Sequence, residues 1–146
     1  AYLFATDRAE HVYAQGGIVE HCIAGDICVC DRYLFSNLAY QGAQGDGELA
    51  KKLNADFPLP RIVFYFDTDV QTSLQRMHSR DTNEIFEKQD FLQRAIDEYK
   101  KTFAYYKKIC SDEKISMDIV FLDATKSEED IADDIWQHLQ PIIGNL

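Results

Sequence analysis

Asp31 and Arg32 stand side by side where the apolar run Ile27 to Cys30 ends, and a carboxylate beside a guanidinium suits phosphate and magnesium. The guanidinium offers a rigid fork to phosphate oxygens, and the carboxylate can hold a magnesium-bound water. Taken alone, the pair also reads as a local salt bridge closing a strand end. Phe4 and Arg8 lie one turn apart on a shared face of a helical segment. A base can stack on Phe4 while Arg8 donates to its carbonyl edge, although a core Phe and a surface Arg would be spaced no differently. Ser36, Tyr40, Gln41 and Gly42 follow Asp31-Arg32 within one or two helical turns. Their hydroxyl, phenol and amide suit a sugar and a base edge, and such residues are also ordinary at helix ends.

These side chains need elements to position them. Helical and extended segments alternate along the chain, which implies an α/β fold. A first helix is expected from Ala1 to about Ile23, then a strand over Asp26 to Asp31. A helix from Leu34 to about Tyr40 precedes a glycine-rich break, QGAQGDG, and a second helical piece runs from Glu48 to Ala55, stopped by Pro58 and Pro60. The strand Arg61 to Phe66 is apolar on both faces, as in a central parallel strand covered by helices. Asp69 suits the N-cap of a helix Val70 to Met77. HSRDTNE, without an apolar period, reads as a mobile loop. In the helix Lys88 to Ile109, Phe91, Ala95, Tyr99 and Phe103 step along one face. A third strand, Asp118 to Leu122, precedes a last helix that opens on Ser127 with Asp130, a weak capping box, and runs through Trp136 to about Leu139. The strands end in Asp31-Arg32, Asp67 and Asp123. Ligands of open parallel sheets bind outside the carboxyl ends of the strands, so these ends are where chemistry is expected.

The length of 146 residues fits one domain, large enough to bury roughly two-thirds of the surface its unfolded form exposes. With 25 acidic against 15 basic residues and a net charge of −10, a chain-wide grip on nucleic acid is not expected. A small anionic ligand remains open, provided local arginines override the global sign. The apolar stretches fall far short of the ~20 residues that span a bilayer. The start AYLFATDRAEH lacks the features of a secretory signal, which gives a cytosolic reading. Cys28 and Cys30 share one face of their expected strand and read as buried core thiols. No second Cys or His pair stands at zinc-ligand spacing.

The order of F-x-x-x-R on a helix (Phe4 to Arg8), strand-D-R-Y (Asp31-Arg32-Tyr33) and S-x-x-x-Y-Q-G (Ser36 to Gly42) resembles thymidylate kinase. The strand IVFYFD, the helix DVQTSLQR, the loop ending in EIFEKQDFL and the turn FLDATKS continue the resemblance over essentially the whole chain. It implies a three-layer P-loop kinase fold, with a parallel sheet flanked by helices and a lid at about residues 78–87. The implied activity is phosphorylation of dTMP to dTDP by ATP with magnesium, in a cytosolic homodimer.

By the same resemblance Phe4 stacks on thymine, Arg8 bonds its O4 edge, and Arg32 grips the acceptor phosphate. Asp31 assists the magnesium site and the acceptor. Ser36, Tyr40 and Gln41 line the nucleoside pocket, with Tyr40 near the sugar as a filter against a ribose hydroxyl. Arg76 and Thr125 belong to the ATP site, and Arg80 is the lid candidate for stabilising the transferring phosphoryl group. Two departures stand out. The family often has an Arg in the lid where this chain has Ile85, and the opening strands with their G-x-x-x-x-G-K-[ST] loop occur nowhere in this sequence. Without that loop the ATP phosphates lose their cradle, so the chain by itself is expected to be inactive or nearly so. A deoxynucleoside kinase and a non-catalytic nucleotide-binding homologue are the alternatives.

Overall fold

The computed structural model describes residues 1–76 and 82–144. They separate into two compact units, one formed by Ala1–Leu59 with Gln93–Ile109, the other by Pro60–Leu92 with Cys110–Leu146.

In the first unit, α1 (Tyr2–Tyr13) and α2 (Ile18–Ile23) replace the single expected helix. The break is built on two glycines. Gly16 takes a left-handed φ of +73°, and a Cβ added to Gly17 would sit 2.7 Å from the Ala14 carbonyl oxygen, too close for any side chain. Helix α3 (Leu34–Gln44) runs on through half of the expected glycine-rich break. It stops at Gly45 (φ +98°), and α4 begins two residues later, spanning Gly47–Asn54. Gly42 and Gly47 are thus helical. At Gly42 the helix passes close to another side chain: a Cβ there would lie 2.7 Å from Glu98 Oε2.

The core of this unit gathers around the start of α3. Leu34, Ala39 and Ala50 of α4 are fully buried, and Val12 of α1 nearly so. Phe35 packs on Phe103 at 5.6 Å and edge-on to Tyr106 at 5.2 Å between ring centroids.

Residues 26–31 form no strand, contrary to expectation. A strand exists only when its backbone groups find a ladder partner, and none pairs with them among the described residues. Ile27 and Val29 are exposed, as are Cys28 and Cys30, so the expected core thiols are not buried; Cys110 is.

The second unit holds β1 (Ile62–Asp67) and β2 (Asp118–Asp123), paired in parallel with Ile62 opposite Asp118 and Asp67 opposite Asp123. The α/β reading with a parallel sheet flanked by helices stands, whereas β1 is not a central strand among the described residues. β1 pairs with β2 alone, and Phe66 and Phe121 are about half exposed among the described residues. Helix α5 (Val70–Arg76) opens as expected on Asp69, whose Oδ1 accepts from the Thr72 amide at 2.7 Å.

Helix α6 (Thr82–Glu113) is longer at both ends than the expected Lys88 to Ile109. The last residues of HSRDTNE are therefore helical rather than loop, in keeping with the strong helix formers of EIFEKQ that follow. Helix α7 (Glu128–Ile143) packs against β2 and begins at Ser127, whose hydroxyl accepts from the Asp130 amide at 3.1 Å. The expected cap is present. The helix continues four residues past Leu139, through Pro141.

Candidate nucleotide site

Arg8 is the structural centre of the first unit's site. Val12 anchors α1 in the core and leaves Arg8, one turn earlier, half-buried beneath two rings: its guanidinium carbon lies 5.5 Å from the Tyr33 centroid and 5.4 Å from that of Phe57. Its Nη1 donates to Asn54 Oδ1. Burial pushes the guanidinium below its ordinary value, while Tyr33 and Asp7 work in the opposite sense. A cation held in this way keeps most of its fork of N–H donors for an acceptor outside the protein. Phe4, one turn before it, is 59% exposed and presents an open aromatic face.

Tyr33 links this cluster to Asp31-Arg32. Its hydroxyl donates to the Pro58 carbonyl at 3.1 Å, and burial pushes its phenol up to about 12, Arg8 opposing that shift. The sign of the pH effect follows. The stability conferred by the neutral phenol is complete below the unfolded value of 10 and is lost as pH rises through about 12. Wild-type protein should therefore lose stability relative to Tyr33→Phe between these two pH values, as read by urea midpoints. A constant difference across that window would show that Tyr33 is solvated.

Asp31 and Arg32 are both exposed, and no ion pair joins them. The salt-bridge reading therefore lacks its contact. Arg32 instead places its guanidinium carbon 5.4 Å from the Tyr40 ring centroid, and Tyr40 meets Tyr99 edge-on at 6.4 Å. The Arg32 backbone sits at φ +65°, a left-handed conformation uncommon for a residue with a side chain, and such strain clusters at functional sites.

The remaining residues of the expected pocket are engaged within the fold. The Ser36 hydroxyl donates to the Tyr33 carbonyl at 3.0 Å, and Gln41 is buried with its amide nitrogen 3.2 Å from Gln44 Oε1. A cavity of about 300 Å³ lies elsewhere, between α1 and α2, lined by Val12, Tyr13, Val19 and Ile23, and none of the expected site residues lines it.

In the second unit Arg76 and Thr125 come together at the carboxyl ends of the strands. Arg76 Nη2 donates to the Ala124 carbonyl at 2.8 Å, and the Thr125 hydroxyl and amide donate to Asp123 Oδ1 at 2.6 and 2.9 Å. Those two bonds, the hydroxyl's first, hold the Asp123 carboxyl below its ordinary value, against the opposing effect of desolvation. Between Asp67 and Asp69 the Thr68 hydroxyl is buried without a partner, an unsatisfied group at the strand end. Arg80 lies outside the described residues, as does His78 to Asp81 of the expected lid.

Sequence reading missed Asn37, Asn54 and Phe57. Asn54 follows Arg8 by 46 residues, and only its burial, at 1% exposure, marks it as more than a polar helix end.

A sequence model of the family described as thymidylate kinase matches residues 1–135. Relatives whose names include thymidylate kinase occur in Treponema pallidum, 37% identical over 139 residues, and Methanocaldococcus jannaschii, 36% over 144 residues. These alignments cover 94% and 97% of this chain, and 65% and 67% of the relatives' own lengths. A Finegoldia magna protein named thymidylate kinase is 36% identical over 137 residues, 90% of this chain and 62% of its own length. The chain thus spans about two thirds of the curated relatives it matches.

Proposed function

Because the chain belongs to the thymidylate kinase family, we propose that the protein containing it transfers the terminal phosphoryl group of ATP to dTMP, giving dTDP. The observation that carries this reading is the Arg8 cluster: a caged, donor-only cation one helical turn from an exposed Phe4. Such a pair fits a base that stacks on the ring and accepts a hydrogen bond at its carbonyl edge. A deoxynucleoside kinase would also have to bind a base. Its Asp-Arg strand end would be shared too, and the segments AYQG and EIFE favour the monophosphate kinase.

Phosphoryl transfer asks mainly for positioning and for charge on the moving oxygens. On this reading Arg32 grips the acceptor phosphate through its fork, with Tyr40 limiting the directions it can take. Tyr40 itself faces the sugar. Ser36 and Gln41 shape the pocket wall from within α3, and Arg76 and Thr125 serve the ATP side. On this reading the ATP phosphates are cradled by a loop that residues 1–146 do not contain.

Among the described residues no group of three or more His, Cys, Asp or Glu is placed to hold a metal by itself. Nucleotide-bound magnesium asks for less, since it takes one or two carboxylates beside the phosphates. Asp31, exposed and outside any ion pair, fits that part. Magnesium there would offset charge on the phosphates, while Asp31 orients its waters and the acceptor.

No helix among the described residues is long and apolar enough to cross a membrane. We read the protein as cytosolic and its working form as a homodimer, with residues 1–146 part of a single kinase domain. The test is ADP release by the full-length protein with ATP and magnesium, comparing dTMP, dUMP, thymidine and no acceptor. Turnover favouring dTMP is expected. Turnover favouring thymidine would replace this reading with the deoxynucleoside kinase, and dTMP binding without turnover with a non-catalytic role.

A further inference from the structure

Asn54 closes α4 with its side chain fully enclosed, 1% exposed. Its amide nitrogen donates to the Ala50 carbonyl at 2.6 Å and to Asn37 Oδ1 at 2.9 Å. Both acceptors lie on the nitrogen's side, so the amide has one satisfactory orientation, and it turns Oδ1 to Arg8 Nη1. The flipped amide would set an N–H₂ against a cation that has nothing to accept with. Tyr33 and Phe57 meet the same guanidinium, so an otherwise flexible side chain is fixed before any ligand arrives.

We propose that Asn54 is a positioning residue that sets Arg8 for reading the group at position 4 of the acceptor's pyrimidine; this rests on the dTMP reading above. A guanidinium only donates. Held in place, it accepts a 4-oxo base and rejects a 4-amino base, whose own N–H would face it unpaired. Freed from Asn54, it swings to whatever geometry the ligand allows, and the rejection weakens. Asn54 acts through Arg8 and needs no contact with the nucleotide.

The test compares kcat/KM for dTMP and dCMP with the full-length protein. Asn54→Ala should raise KM for dTMP about tenfold, change kcat less than about threefold, and reduce dTMP-over-dCMP selectivity about tenfold. In an Arg8→Ala background the same substitution should change selectivity by less than about twofold, because residues acting as one unit are not additive. Asn54→Asp keeps an oxygen toward Arg8 and should retain more of the selectivity than Asn54→Ala. Should Asn54→Ala fail to fold, Asn54→Ser, whose side chain ends one bond short of the amide oxygen, serves in its place with the same expectations. Unchanged selectivity, or equal effects with and without Arg8, would reduce Asn54 to a helix-end stabiliser and leave the kinase reading intact. Wild-type protein that turns over neither nucleotide would overturn the dTMP reading, and this inference with it.

Discussion

Replacing Arg32 with Ala in the full-length protein should lower kcat/KM for dTMP by about 100- to 1,000-fold, the loss typical when one preorganised charge is removed from an anionic transition state. Three features motivate this expectation. Arg32 is exposed, it is unpaired with its neighbour Asp31, and its cation lies against the Tyr40 ring. A fourth is the backbone: φ of +65° costs a residue with a side chain roughly 1 kcal/mol, so a glycine would be the easier occupant. Arg32→Gly therefore relieves strain and removes the charge together. It should be as inactive as Arg32→Ala while unfolding at an equal or higher urea concentration. Arg32→Lys keeps the charge and loses the planar fork, and should recover only part of the activity. Steady-state rates with dTMP, read beside urea midpoints, separate these effects. A loss under about threefold in Arg32→Ala would make the Asp-Arg pair a structural turn.

Phe35→Ala should be the most damaging single change to the first unit, costing about 3–5 kcal/mol. Phe35 is 4% exposed and bridges α3 to α6 through Phe103 and Tyr106. Truncation removes both aromatic pairs and leaves a cavity that a helix fixed at Leu34 and Ala39 cannot collapse. Because Tyr33 and Arg32 immediately precede α3, a shift of its first turn reaches both candidate clusters. Urea denaturation of the full-length protein should show a lower midpoint with an unchanged slope. A change below about 1 kcal/mol would mean that Phe35 is not packed between these rings in solution.

The short-range features were legible in the sequence because their causes are short-range. Asp69 caps α5 through Thr72, three residues away, and Ser127 caps α7 through Asp130 at the same spacing. The runs IVFYFD and DIVFLD form the parallel pair, and the periodic stripe from Phe91 to Phe103 forms a helix face. The ordered series Phe4, Arg8, Asp31-Arg32, Ser36 and Tyr40 pointed to the family that the sequence comparison shows.

What tertiary structure decided depends on partners that no local pattern contains. The run Ile27 to Cys30 has the composition of a strand, yet a strand is a relation between segments, and without a ladder partner among the described residues this one stays irregular and exposed. Only a glycine fits at position 17, where three carbonyl oxygens converge, a crowding that appears only once the chain has turned. The cage around Arg8 draws Tyr33, Asn54 and Phe57 from positions far along the chain, and a lone Asn in LNADFPLP looks like an ordinary helix end. Residue type and spacing singled out the groups expected to carry the chemistry. Only packing decided which of them are held still, because fixing a flexible cation takes contacts from several segments at once.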